Sequence, residues 1–252
     1  MTVTIVSCFY IVNSKYPINK YLKWIDNFMN FNFNRVIFCN ENSYKIFEKY
    51  GKNNNTIFKI LDINDFETSK YDWNNDILQD VAIPYHNHTI DLYKIWNEKI
   101  YFVKKTIEIN PFNSKYFMWL DIGSFRSKYH NIMKNFDKFP NETKFIDNKI
   151  ILAQIYPFTD VVTNNIQQID SRFTGQHFLG GLFAGDSETL LKFENKFTEL
   201  LKIFKDKNIF AGVDQTFYNY IALQNPDLVH IIDANKIHPT YNPWFCFHYY
   251  FS

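Results

Sequence analysis

Apolar and polar positions along this chain follow two periods in turn, short continuous apolar runs and stretches spaced like an amphipathic helix. Thr2 to Phe9 is rich in β-branched residues and predicts a buried strand, followed by a polar loop with Pro17 and a helical stretch from Asn19 to Met29. Arg35 to Cys39 and Thr56 to Ile60 predict two more strands, with a helix from Asn42 to Tyr50 closed by Gly51 between them. Asp62 to Thr89 has no sustained period and carries Pro84, so it reads as a long surface loop, with His86 and His88 as surface histidines. From about Asp91 the positions Leu92, Ile95, Trp96, Ile100, Val103 and Ile107 have helical spacing, ended by Asn110-Pro111. Tyr116 to Leu120, Ile150 to Gln154 and Val229 to Ile232 predict strands, and Asp186 is placed to cap a helix running from Ser187 to about Lys205. A further helix is expected from Asp214 to Gln224. The apolar run from Phe178 to Ala184 is broken by glycines at 180 and 181 and followed by Gly185, which implies close approach to its backbone.

Strands alternating with helices predict an α/β fold with a Rossmann-like, mainly parallel central sheet and helices on both faces. A chain of 252 residues can bury a sizeable core, and with no internal repeat or linker it reads as a single domain over 1–252. Its 27 Phe, 17 Tyr and 5 Trp are an unusually large aromatic share. AT-rich coding explains part of that bias, and the remainder suits a site where aromatic faces pack on sugar C–H surfaces. Net charge is +1 without a long run of like charges, which argues against nucleic acid as partner. Cys8, Cys39 and Cys246 lack zinc-site spacing, and Cys8 and Cys39, in strand-like runs, read as buried thiols of a reducing compartment. No basic leader precedes the first apolar run, and no stretch reaches the roughly 18 apolar residues of a membrane span, so the expectation is a cytoplasmic protein. The apolar C-terminal run Trp244 to Phe251 suits either a covered core strand or a flap over a binding site.

The strongest candidate for chemistry is Phe117-Met-Trp-Leu-Asp-Ile-Gly-Ser124, a buried strand stopping at a carboxylate and a glycine. Ligands of open α/β sheets bind beyond the carboxyl ends of strands. There Asp121 could hold a divalent cation and a diphosphate, with Gly123 admitting the ligand to the backbone, or it could simply start a turn. Lys99 lies on or beside the apolar stripe of its helix, so it must either snorkel out or meet a buried anion. Arg126 could grip a phosphate bidentately or remain at the surface. Asp214 is open to two readings, a cap of the helix that follows or a site carboxylate paired with Gln215. No phosphate-binding Gly-Lys loop, dinucleotide fingerprint or nucleophile elbow occurs.

The segment Phe117-Met-Trp-Leu-Asp-Ile-Gly-Ser-Phe-Arg126 resembles the Asp-x-Asp region of GT-A-fold glycosyltransferases and is most similar to the HtrL/YibB-type family. Ser7-Cys-Phe-Tyr10, Trp96 to Lys104, Gly180-Gly-Leu-Phe-Ala-Gly-Asp186 and Asp214-Gln215 follow in that family's order, so the resemblance covers most of the chain. It implies a GT-A-like fold and transfer of a sugar from a nucleoside-diphosphate donor, a UDP-sugar being favoured, to a hydroxyl of a glycan or protein. It further implies Cys8, Phe9 and Tyr10 near the nucleotide and Lys99, Asp121, Gly123 and Arg126 at the donor diphosphate. His177, Gly180 and Gly181 would lie on the sugar and acceptor side, and Asp214 and Gln215 near the anomeric carbon. Mn2+ or Mg2+ would be held by Asp121 with a C-terminal histidine, either His238 of His238-Pro-Thr-Tyr-Asn-Pro-Trp244 or His248. Gly123 stands where the Asp-x-Asp pattern has its second carboxylate, which puts metal dependence in question. The rival readings are a sugar- or nucleotide-sugar-binding module of the same fold without catalysis and, more distantly, a nucleotidyltransferase.

Overall fold

The computed structural model describes residues 3–51, 53–126, 138–159, 176–238, 242–245 and 247–252. Among these residues seven strands form one sheet in the order β3-β2-β1-β4-β6-β5-β7. They are β1 (Val3–Cys8), β2 (Arg35–Cys39), β3 (Thr56–Ile60), β4 (Tyr116–Leu120), β5 (Ile150–Gln154), β6 (Leu182–Asp186) and β7 (Val229–Asp233). β1 to β4 run parallel to one another, as do β5 and β7. β6 is antiparallel to both of its neighbours, β4 and β5. The sheet is thus mainly parallel, as expected, with β6, fifth in that order, reversed.

Because side chains alternate across a strand, a sheet covered on both faces needs apolar residues at consecutive positions. In β4, Phe117 and Trp119 join the core on one face while Met118 and Leu120 join the other; Ile150 and Leu152 oppose Ile151 and Ala153 in β5 in the same way. The first face is covered by α5 (Ile90–Ile109), α6 (Ser187–Asp206) and α7 (Gln215–Gln224), the second by α1 (Ile18–Met29) and the C-terminal segment. Each large side chain buried in this way contributes about 2–3 kcal/mol. α6 starts as expected, with the Asp186 carboxylate accepting from the Thr189 N–H at 2.9 Å.

Three local expectations need correction. The 42–50 helix is a single turn, α2 (Glu41–Tyr44), capped by the Asn40 side chain and followed by a 3-10 turn at Glu48–Tyr50; Gly51, at φ +66°, does end it. The 62–89 segment is not a surface loop. It contains 3-10 turns and two short helices, α3 (Asn74–Gln79) and α4 (Ile83–His86), and buries Phe66, Trp73, Asp76 and Asp80. Its anchors recur irregularly, so no period betrays them, yet the Trp73 indole donates to Thr68 O at 2.9 Å and lies under the Lys205 ammonium at 3.9 Å. The C-terminal run is helical rather than extended, with α8 (Ala234–Ile237), a 3-10 turn at Pro243–Phe245 and α9 (Phe247–Tyr250). Among the described residues no helix is long and apolar enough to cross a membrane.

Candidate functional site

The reversal of β6 builds the site. Since β6 runs against β4, the residues before β6 lie beside those after β4, and the Asp121 N–H donates to Gly181 O at 3.0 Å. A methyl group on Gly181 would stand 3.3 Å from Asp121 Oδ2, and one on Gly180 would stand 3.0 Å from Asp214 Oδ1. Both glycines therefore let two carboxylate-bearing segments meet at one strand end. Ser7 of β1 donates to Leu120 O at 2.6 Å, fixing where β4 stops, and the Trp119 indole donates to Asp121 Oδ1 at 2.8 Å, fixing how the carboxylate turns.

Lys99 resolves its ambiguity in favour of buried anions. From the middle of α5 its ammonium donates to Gly180 O at 2.8 Å and lies 3.1 Å from Asp214 Oδ2 and 3.4 Å from Asp121 Oδ1. Burial disfavours the charged ammonium, but the Asp121 and Asp214 carboxylates outweigh it and hold the pKa above the ordinary lysine value. Asp214 precedes α7 without capping it by its side chain. Its carboxylate takes the Lys99 ion pair and a hydrogen bond from the Tyr218 hydroxyl at 3.0 Å. Burial pushes its pKa up, against the pull of Lys99. The side chain of Asp214 is 3 % exposed and that of Asp121 45 %, so Asp121 is the carboxylate an incoming ligand meets. Asn97, which carries no sequence signal, donates to Tyr93 O and Ala211 O at 2.9 and 3.1 Å and so ties the segment before Asp214 to α5.

These groups open into a cavity of about 440 Å³ lined by Cys8, Phe9, Tyr10, Lys99, Asp121, Gly123, Arg126, Gly180, Gly181, Asp214 and Gln215, among others. Eleven residues singled out from sequence thus share one space. Arg126 stacks on Trp24 at 4.2 Å and Phe245 at 4.0 Å and donates to Gly123 O through Nε, which fixes a guanidinium on the wall. Burial and the neighbouring Asp121 push the Cys8 thiol well above its ordinary value, so Cys8 is a neutral wall rather than a nucleophile. Lys15, Tyr16, Trp96, Trp244, His86 and His88 also line the cavity. Of these, Trp244 belongs to the flap considered from sequence; His86 and His88 do not behave as surface histidines.

Three assigned histidines lie elsewhere. His177 bonds Tyr156 O at 3.0 Å through Nδ1 and packs on Phe158. His238 packs against Tyr249 at 4.5 Å. His248 is fully buried among Phe125, Phe247 and Tyr249, and burial pushes its pKa down to about 3, which keeps it neutral. None of the three lines the cavity. Residues 239–241 of the His-Pro-Trp pattern, Gly175 and Cys246 lie outside the described residues. The expected metal set is therefore not assembled. Asp121 offers one carboxylate whose Oδ1 already accepts from Trp119 and faces the Lys99 ammonium, Gly123 offers none, and the cation between the two carboxylates is Lys99. Among the described residues no three His, Cys, Asp or Glu side chains converge to hold a metal ion. The described residues do not by themselves supply a ligand set for a divalent ion.

A protein-family model described as "Bacterial protein of unknown function (HtrL_YibB)" matches residues 2–248. No curated protein is found similar in sequence. Among solved structures, the galactosyltransferase LgtC in complex with donor and acceptor sugar analogues aligns with a TM-score of 0.50 and 12% identity, covering 92% of this chain and 74% of that one. The apo form of mouse xyloside xylosyltransferase 1 aligns with a TM-score of 0.48 and 15% identity, over 92% of this chain and 85% of that one. The fold is that of the GT-A glycosyltransferases.

Proposed function

This chain belongs to the HtrL_YibB family, and we propose that it is a glycosyltransferase acting as one catalytic domain on a nucleoside-diphosphate sugar, with a UDP-sugar as favoured donor. The observation that carries this reading is the Lys99 bridge between Asp121 at the end of β4 and Asp214 at the start of α7, set in a cavity at the carboxyl end of the sheet. A fold neighbour that holds donor and acceptor sugar analogues supports the same class of ligand.

In this reading the nucleotide lies along Cys8, Phe9 and Tyr10, and the diphosphate lies at Gly123 and Arg126. Arg126 and Lys15 supply positive charge on the wall, while Lys99 keeps the two carboxylates from repelling the phosphates at full strength. The sugar rests against Gly180 and Gly181, where the missing side chains leave room, with Asp214 and Gln215 beside it. Gln215 is held by its Nε2 bond to Phe178 O at 3.1 Å, which leaves its carbonyl oxygen for a sugar hydroxyl. An acceptor hydroxyl of a glycan or glycoprotein attacks the anomeric carbon. The bond from that carbon to the diphosphate oxygen breaks, its electron pair leaves with the nucleoside diphosphate, and the hydroxyl proton is released.

The test is release of nucleoside diphosphate from UDP-, GDP- and dTDP-sugars with a mixed glycan acceptor. Wild-type protein is expected to turn over one donor, and Asp121→Ala and Gln215→Ala to lose most of that turnover. Gly123, standing in place of a second carboxylate, favours the second reading, a nucleotide-sugar-binding module. A donor that binds without any release would select it.

A further inference from the structure

His86 and His88 enter the same cavity from the segment that the sequence reads as a loop, just N-terminal to the helix that carries Lys99. His88 precedes α5, and Lys99 lies well inside it. The intervening residues span roughly 15 Å at about 1.5 Å per helical residue, with the Trp96 indole on the cavity wall between them.

His88 is a built group. Its Nδ1 lies 2.6 Å from Asp80 Oδ2, and the same carboxylate takes the Tyr93 hydroxyl at 2.5 Å and, through Oδ1, the Ala82 N–H at 2.7 Å. Burial works against the charge on Asp80, but hydrogen bonds from Tyr93, His88 and Ala82 hold its pKa below the ordinary carboxylate value. A charged acceptor at Nδ1 holds a ring proton there, so in the neutral imidazole Nε2 is the lone-pair acceptor. Among the described residues Nε2 has no hydrogen-bond partner. The ring is held edge to face with Trp96 at 4.9 Å, and His86 stacks with it at 5.7 Å. A positioned imidazole nitrogen and an indole wall form one surface. It suits a ligand with hydroxyls along its edge and C–H groups on its face.

The geometry points to this end of the cavity, His86, His88 and Trp96 with Asp80 as the positioning residue, as the subsite that binds the acceptor, and to a saccharide as the acceptor. The inference rests on the glycosyltransferase reading above. His88 Nε2 accepts from a hydroxyl of the acceptor ring and Trp96 packs on that ring, so the acceptor's reacting hydroxyl is directed toward Gly180 and Asp214.

The test uses the full chain, the donor selected by calorimetry, and methyl glycosides of glucose, galactose and N-acetylglucosamine as acceptor probes, with release of nucleoside diphosphate as readout. His88→Ala and Trp96→Ala are expected to raise the KM for the stimulating glycoside about tenfold or more, the loss of one hydrogen bond or ring contact. The donor Kd should stay within about twofold. Asp80→Asn, which removes the charge that sets the tautomer, is expected to raise the acceptor KM in the same direction. If His88→Ala does not fold, His88→Gln replaces it. An unchanged acceptor KM in His88→Ala or His88→Gln, or an equal loss of donor affinity, overturns the subsite. Donor binding in wild type without stimulation by any methyl glycoside overturns the saccharide class. Absence of any donor binding in wild type instead removes the glycosyltransferase reading itself, and the subsite with it.

Discussion

Replacing Lys99 by methionine keeps the length and apolar stem of the side chain but deletes the ammonium that bridges Asp121 and Asp214. The two contacts are unequal. Asp121 is about half exposed, and water replaces much of what the ammonium supplied, so this pair is worth at most about 1 kcal/mol. Asp214 is buried and loses its neighbouring cation outright, while Gly180 O loses a donor. Stranding one partner of a buried pair costs about 3–5 kcal/mol, a large part of the stability of an ordinary domain. Asp214→Asn in the same protein removes the stranded charge and preserves an acceptor for the Tyr218 hydroxyl. Guanidinium unfolding of wild type, Lys99→Met, Asp214→Asn, Asp121→Asn and the two double variants that carry Lys99→Met gives a coupling energy for each pair. The expected result is a coupling of about 2 kcal/mol or more for Lys99 with Asp214, and under about 1 kcal/mol for Lys99 with Asp121. A loss below about 1 kcal/mol in Lys99→Met, or strict additivity with Asp214→Asn, would refute the bridge.

Three further outcomes are expected. Glu98 accepts from the Glu67 and Thr68 N–H groups, and burial nonetheless pushes its pKa up from 4.5 to about 7. A raised folded-state pKa adds stability that is complete below about 4.5 and lost as pH rises through about 7, about 3 kcal/mol over that window. Urea titrations at several pH values should show this decline, and Glu98→Gln should flatten it. Gly212→Ala places a methyl group 2.7 Å from the Phe210 ring and 2.9 Å from the Tyr93 ring, and is expected to lower stability by about 1–3 kcal/mol in thermal or chemical unfolding. Donor affinity measured after EDTA treatment is expected to match that in Mn2+ within about threefold, because Lys99, Lys15 and Arg126 carry the cavity's positive charge; a hundredfold loss on chelation would show a metal ligand set that these residues do not form.

Much of the fold was legible because its strands are buried on both faces. β4 and β5 are continuous apolar runs bounded by polar residues, and their ends fall where the sequence puts them. β6 starts later than expected because Phe178 pairs with Gln154 in an isolated bridge and Gly180 and Gly181 turn the chain before the strand begins. Its reversed direction has no local signature. Asp121 was legible as a carboxylate after a buried strand, and Lys99 as a charge out of place on an apolar stripe, but its partner Asp214 lies more than a hundred residues away. The Asp80–His88 pair was hidden for a different reason. Its segment is anchored by Phe66 and Trp73 at irregular intervals, and periodicity is blind to such packing. A Pro-Trp pattern near the C-terminus points to His238, with His248 as the competing candidate, yet the helical turns there bury His248 against Phe125 and turn Trp244 and Phe245 to the cavity instead.

The proposed nucleotide-sugar site has Lys99, Asp121 and Asp214 at one end. Its most direct test is calorimetric titration of UDP-, GDP-, CMP- and dTDP-sugars into wild type and Asp121→Ala, each with EDTA and with Mn2+. Binding of one nucleotide sugar to wild type, weakened in folded Asp121→Ala, is the expected result. Silence across the panel with folded wild-type protein, or equal binding by Asp121→Ala, would contradict it.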